Sequence, residues 1–123
     1  MNAREIKFRV WDGEKMLEIR DLEIKDGQVV SWRERYGGES RDAGWYEPVM
    51  QYTGLKDKNG KEIHEGDVVR GGVHTELDYE IKWSDGGFIM GEEDALTEDN
   101  IKRWNLKVIG NLYENPELME EEK

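Results

Sequence analysis

The stretch Gln51 to Arg70, QYTGLKDKNGKEIHEGDVVR, constrains this chain most, because it places two turns in quick succession directly before a β-branched pair. Asn59-Gly60 is the pair that a two-residue type I′ turn requires, since both central residues need positive φ, and a hairpin tip is predicted there. His64-Glu65-Gly66-Asp67 gives a second turn, with Gly66 free to go left-handed and Asp67 able to accept from nearby amides. Val68-Val69 then launches a strand. A chain punctuated in this way has little room for long helices. It is read as β.

The flanks repeat the pattern. Ile6, Phe8 and Val10 alternate with Lys7, Arg9 and Trp11, the period of two of a half-buried strand. Asp12-Gly13 turns into Met16–Ile19, Leu22 to Ile24 reads as a short separate strand, and Asp26-Gly27 turns into the β-rich Gln28 to Arg33. Pro48 to Tyr52 is a short extended segment leading into the central turns. Downstream, Gly71-Gly72 permits a sharp bend, and Leu77, Tyr79, Ile81 and Trp83 define one face of a strand. Ser84-Asp85-Gly86-Gly87 returns the chain into Phe88-Ile89-Met90, so Asp67 to Met90 is predicted to be an antiparallel meander. Thr97 caps a helix of a turn or two through Trp104, with Glu98 and Asp99 at its positive end. A final strand is predicted over Asn105 to Tyr113. Asn115-Pro116 then starts a short C-terminal helix with Leu118 and Met119 turned inward.

The fold class is therefore mainly β: antiparallel strands, an SH3-like small barrel or meander in the second half, and one or two short helices near the C-terminus. A length of 123 residues suits one domain, residues 1–123, divisible into an N-terminal β portion 1–53 and a barrel-like portion 54–123. Charged residues are 38% of the chain and hydrophobic ones 36%, but five Trp, five Tyr and two Phe supply large buried areas, so order is predicted.

Three blocks carry a resemblance. Phe8 to Met16 (FRVWDGEKM), Thr53 to Arg70 (TGLKDKNGKEIHEGDVVR) and Val108 to Glu120 (VIGNLYENPELME) resemble the YopX family of small phage and prophage proteins. They stand in the family's order, while Gln28 to Tyr46 and Val73 to Arg103 add little to the match. The resemblance implies a mostly β protein encoded by a phage or prophage and working inside a bacterial host cell. It carries no catalytic residue over to this chain.

Charge separates the halves. The net charge is −11, with 12 Lys or Arg against 13 Asp or Glu up to Glu62 and 6 against 16 from Ile63 onward. An acidic second half repels polyanions and suits a basic partner. No cysteine is present, which excludes disulfides, thiolate metal sites and a Cys nucleophile and agrees with a reducing cytoplasm. No window is apolar enough to span a membrane.

Arg35 to Tyr46 interrupts the strands with three glycines and reads as a long loop. Within and beside it, Arg33, Arg35, Tyr36, Arg41, Trp45 and Tyr46 interleave guanidinium and aromatic groups, a combination that stacks bases and tracks phosphates of single-stranded nucleic acid. Glu34, Glu39, Asp42 and Glu47 cancel that positive field, which favours a connector.

His64, Glu65, Asp67 and His74 have metal-ligating atoms, but their spacing matches no ligand pattern and no metal or other cofactor is expected. Gly71-Gly72 and Gly86-Gly87 stand between no strand and helix, so they are turns and not phosphate cradles. No catalytic set is marked, and a non-enzymatic protein is expected.

Two function classes follow. In the first, an accessory protein contacts a basic host or phage protein through Glu76, Asp78, Glu80, Glu92, Glu93 and Asp94 and through the loop around Arg35, Tyr36, Arg41, Trp45 and Tyr46. In the second, Arg33, Arg35, Arg41, Lys56, Lys58 and Lys61 of the first half bind nucleic acid. Unpaired strand edges also suit a homo-oligomer.

Overall fold

The structure is a computed structural model, and it describes residues 5–35, 40–42, 49–84 and 86–119, residues 40–42 by backbone only. It is mainly β, with antiparallel strands and one α-helix. Two compact units divide at Gln51/Tyr52.

The unit over Glu5–Gln51 is an antiparallel sheet in the order β4-β3-β2-β1, completed by the first residues of β5. Its strands are β1 (Phe8–Trp11), β2 (Met16–Lys25), β3 (Gln28–Glu34), β4 (Ser40–Asp42) and β5 (Val49–Lys56), of which Val49–Gln51 pair with β1. Ile6 lies outside the first strand and is exposed. The segment from Met16 to Lys25 is one strand rather than two. Its apolar residues switch from odd positions (Leu17, Ile19) to even ones (Leu22, Ile24), and the pairing with β3 shifts between Ile19 and Asp21. A bulge there absorbs the extra residue, so Leu22 packs on the same core as Leu17 and Ile19, whereas Ile24, past a second shift, is exposed. Asp26 and Gly27 both have positive φ, 52° and 79°, as a type I′ turn demands. Val10, Leu17 and Trp32 form the core, with Ile19, Leu22 and Val49 packed against it. The predicted loop after Arg35 contains a strand, since β4 pairs with Ser31–Arg33.

In the unit that begins at Tyr52, the second part of β5 pairs with β6 (Glu62–His64). A five-stranded antiparallel sheet follows in the order β10-β9-β8-β7-β11. Its members are β7 (Asp67–Gly71), β8 (Leu77–Ser84), β9 (Gly87–Met90), β10 (Asp94–Ala95) and β11 (Lys107–Asn111). The β7-β8-β9 meander is the one predicted. Helix α1 (Glu98–Trp104) connects β10 to β11. Ile63, Val69, Ile81, Met90, Leu96, Ile101 and Leu106 form the core.

Both ends of α1 are specified locally. The Thr97 hydroxyl accepts from the Asn100 amide at 3.1 Å, and Asn105 turns left-handed at φ 55°. Asn105 N then donates to Lys102 O and Leu106 N to Ile101 O, the paired bonds of a Schellman stop. Gly71 is fixed by close approach, because a Cβ there would run into the Trp104 carbonyl oxygen and Leu106.

Two local expectations are corrected. Asn59 does not take positive φ; Gly60 alone does, at 83°, and Gly60 N donates to Asp57 O. The tip is a type I turn ending in a left-handed glycine, because the Asp57 carboxylate captures the Asn59 and Lys61 amides at 2.8 and 2.9 Å and organises the loop itself. The C-terminal helix is a single 3-10 turn, Pro116–Met119. One turn can aim only one apolar side chain at the sheet. Leu118 meets Gly110, whereas Met119 is exposed.

Candidate functional site

The acidic residues of the second half are brought together by β8, β9 and the turn that follows β9. Asp78 and Glu80 alternate with Tyr79 and Ile81, so they leave the sheet on the face opposite the core. Gly91 N donates to Glu80 O at 2.9 Å, which ties the turn carrying Glu92 and Glu93 beside Glu80. Asp94 starts the edge strand β10 opposite Met90, so its exposed side chain leaves the sheet edge on the core side, the side opposite Glu80.

Only two cations belong to the stretch from β7 to β10, and both are engaged. Arg70 grips Asp78 across the strands, Nε to Oδ1 at 2.7 Å and Nη2 to Oδ2 at 3.1 Å. This bidentate bond, the Asp78 charge and the more distant Glu76 raise the Arg70 pKa, so the guanidinium stays charged and Asp78 is neutralised. Lys82 reaches Glu92 at 3.3 Å. Glu80, Glu93 and Asp94 have no cation within ion-pair distance among the described residues, and neither has Glu76, in the connection before β8. Glu93 and Asp94 are exposed and Glu80 half-buried. The outer side of β8 and the turn after β9 therefore carry carboxylates, Glu80 and Glu93, that the two nearby cations leave uncompensated, and Asp94 adds charge at the sheet edge on the other side.

The other expected contact residues fall elsewhere. Arg35 follows β3; its amide donates to Glu18 O at 2.9 Å and its guanidinium lies 3.5 Å from the Glu18 carboxylate. Arg41 sits in β4 opposite Trp32, with its side chain outside the described residues. Tyr36, Trp45 and Tyr46 also lie outside the described residues. Asp67 accepts from His64 N at 2.8 Å, holding the second central turn. Among the described residues, no group of three His, Asp or Glu is placed to hold a metal ion.

One arrangement was not legible in the sequence. The β5–β6 tip docks on the α1–β11 connection through Lys58 N to Leu106 O at 3.0 Å and Val108 N to Asp57 Oδ2 at 2.8 Å. This brings Lys56 and Lys58 to a groove shared with Lys102 of α1. Lys102 is 44 residues from Lys58 in sequence, and only the docking joins them.

With the geometry in place, comparison with known proteins gives a consistent result. The profile of the YopX protein family matches residues 7–120. The chain belongs to the YopX family. Protein EF1440 from Enterococcus faecalis, known from its crystal structure, is similar at 29% identity and a TM-score of 0.79, over 96% of this chain and 100% of that one. Protein YopX from Bacillus subtilis is similar at 28% identity and a TM-score of 0.67, over the full length of both chains. No curated protein matches in sequence. Membership in the YopX family thus rests on sequence and fold together, and it covers both compact units.

Proposed function

We propose that this chain is a non-enzymatic accessory protein of a phage or prophage, working in the bacterial cytoplasm by binding a partner protein with a basic surface. The observation that carries the reading is the face built by β8 and the β9–β10 turn. There Glu80 and the turn carrying Glu93 are tied together by the Gly91 amide, with both nearby cations already committed to Asp78 and Glu92, and Asp94 adds negative charge at the adjoining edge strand. Such a face attracts lysine- and arginine-rich surfaces over about a Debye length, roughly 8–10 Å at physiological salt, and sets their orientation on arrival. Family membership supports the setting, and both solved relatives come from bacteria.

The test is capture from a bacterial lysate by tagged protein, comparing wild type with a Glu80→Lys/Glu93→Lys/Asp94→Lys variant. Capture that wild type loses between about 50 and 500 mM salt, and that the variant lacks at low salt, is expected. Equal capture by the two proteins would exclude this face as the contact.

A further inference from the structure

Asn59-Gly60, the one Asn-Gly pair in the sequence, stands at the β5–β6 tip. Such a pair can react with itself. The Gly60 backbone nitrogen attacks the Asn59 side-chain carbonyl carbon, and a C–N bond forms that closes a five-membered succinimide. The bond from that carbon to Nδ2 breaks, and the side-chain nitrogen leaves as ammonia with the Gly60 proton. Glycine in second place favours the attack, because it has no Cβ to crowd the ring and few limits on its backbone. The Asn59 side chain is ready for this reaction: it is exposed and makes no hydrogen bond among the described residues.

The Gly60 nitrogen is not ready. Its N–H donates to Asp57 O at 3.0 Å, so the atom that must lose its proton and turn toward the side chain is engaged in the turn. The peptide units on either side of the reacting one are held as well, since the Asn59 and Lys61 amides both donate to Asp57 Oδ1, at 2.8 and 2.9 Å. Asp57 N donates to Lys61 O at 2.8 Å and closes the loop. The tip as a whole is tied down by Lys58 N to Leu106 O and by Val108 N to Asp57 Oδ2. Reaction therefore requires the tip to open first, an event that loops undergo at lower free energy than global unfolding.

We propose that Asn59 is a site of self-modification gated by the Asp57 hydrogen bonds: the succinimide forms when the tip opens, and water then opens the ring to leave aspartate or isoaspartate at position 59. One ammonia is released and one water consumed, with no oxidant, reductant or cofactor. The change runs one way, and it acts back on its own gate. Isoaspartate continues the chain through its side-chain carboxyl, which adds one backbone carbon between residue 59 and Gly60. The Asp57–Lys61 bonds that close the tip span that segment, so the lengthened loop loses their register. Either product also places a carboxylate where a neutral amide stood.

The experiment follows the full chain during prolonged incubation at physiological temperature and pH, by peptide mass mapping and by labelling with an isoaspartyl methyltransferase. The same chain held unfolded in urea gives the ungated rate. Asn59 is expected to react before the other asparagines in both, and at least about tenfold more slowly in the folded chain, the effect of one hydrogen bond that must open. Asp57→Ala should recover about tenfold of that protection, with Asp57→Asn between it and wild type and carrying the comparison if the alanine variant does not fold. Native-state hydrogen exchange of the Gly60 amide reports the opening itself, and its rate should rise across these proteins by the same factors as the reaction. The isoaspartate product should lose exchange protection at the Lys61 and Val108 amides.

An Asn59 that stays intact in the unfolded chain, or another asparagine that reacts first, would overturn the site. A folded wild type that reacts as fast as the unfolded chain, or a reaction rate that does not follow Gly60 exchange, would overturn the gate. Unchanged protection at Lys61 and Val108 in the isoaspartate product would overturn the action of the product on the tip.

Discussion

Replacing Asp57 is expected to cost more stability than replacing any other surface-loop residue in the chain. Asp57 is 7% exposed, and its carboxylate accepts three backbone hydrogen bonds: Asn59 N at 2.8 Å, Lys61 N at 2.9 Å and Val108 N at 2.8 Å. The first two close the β5–β6 tip; the third crosses 51 residues to fasten that tip to β11. In Asp57→Ala the two tip amides can turn to water, at about 1 kcal/mol each, but the Val108 amide is left half-buried and unanswered at about 1–3 kcal/mol. The total is about 3–5 kcal/mol, a large part of what holds a domain of this size together. Asp57→Asn keeps one accepting oxygen and turns an NH2 group toward amide donors, so about half that loss is expected. Urea denaturation followed by far-ultraviolet circular dichroism measures both, and with a typical slope near 2 kcal/mol per molar the alanine midpoint should fall by about 2 M. A loss below about 1 kcal/mol for Asp57→Ala, or an asparagine variant no more stable than the alanine one, would refute the role assigned to the three bonds.

Other substitutions probe separate features. Gly71→Ala should destabilise by about 2–4 kcal/mol, because the added methyl meets the Trp104 carbonyl and Leu106, neither of which can retreat without moving the end of α1; thermal melting checks this. Thr97→Ala removes the bond to the Asn100 amide and should cost about 1 kcal/mol in the same assay, with Thr97→Asp restoring most of it. The tryptophans should separate cleanly. Trp32→Ala, 1% exposed, should cost about 3–5 kcal/mol, whereas Trp83→Ala, 54% exposed and resting edge-on against Phe88, should cost no more than about 1.5 kcal/mol in urea denaturation.

The parts of the fold readable in sequence were those fixed within a few residues. The β7-β8-β9 meander, the Asp26-Gly27 turn and the Thr97 cap each depend on local periodicity or on one side chain meeting a near amide, and each stands in the structure as expected. What escaped depended on partners far along the chain. The Asn59-Gly60 tip looked like a type I′ turn because nothing nearby reveals that Asp57 will hold both its own loop and Val108. The continuous β2 was read as two strands because a bulge shifts its apolar phase by one residue, and phase alone does not distinguish a bulge from a break. The strand β4 inside a glycine-bearing stretch is specified by β3 beside it.

The same division holds for the two surfaces. The acidic residues were visible as composition, but their partition into paired Asp78 and Glu92 and unpaired Glu80, Glu93 and Asp94 needed the cross-strand positions of Arg70 and Lys82. The lysine groove needed Lys102 to arrive from α1, a contact that no periodicity announces.

The central claim, that this chain acts by holding a basic protein on its acidic face, is tested most directly by a lysate pull-down performed with and without nuclease, using wild type and the Glu80→Lys/Glu93→Lys/Asp94→Lys variant side by side. The account predicts a protein partner that survives nuclease, leaves as salt rises and is missing from the variant. Bound material that vanishes with nuclease, or that the variant retains in full, would contradict it.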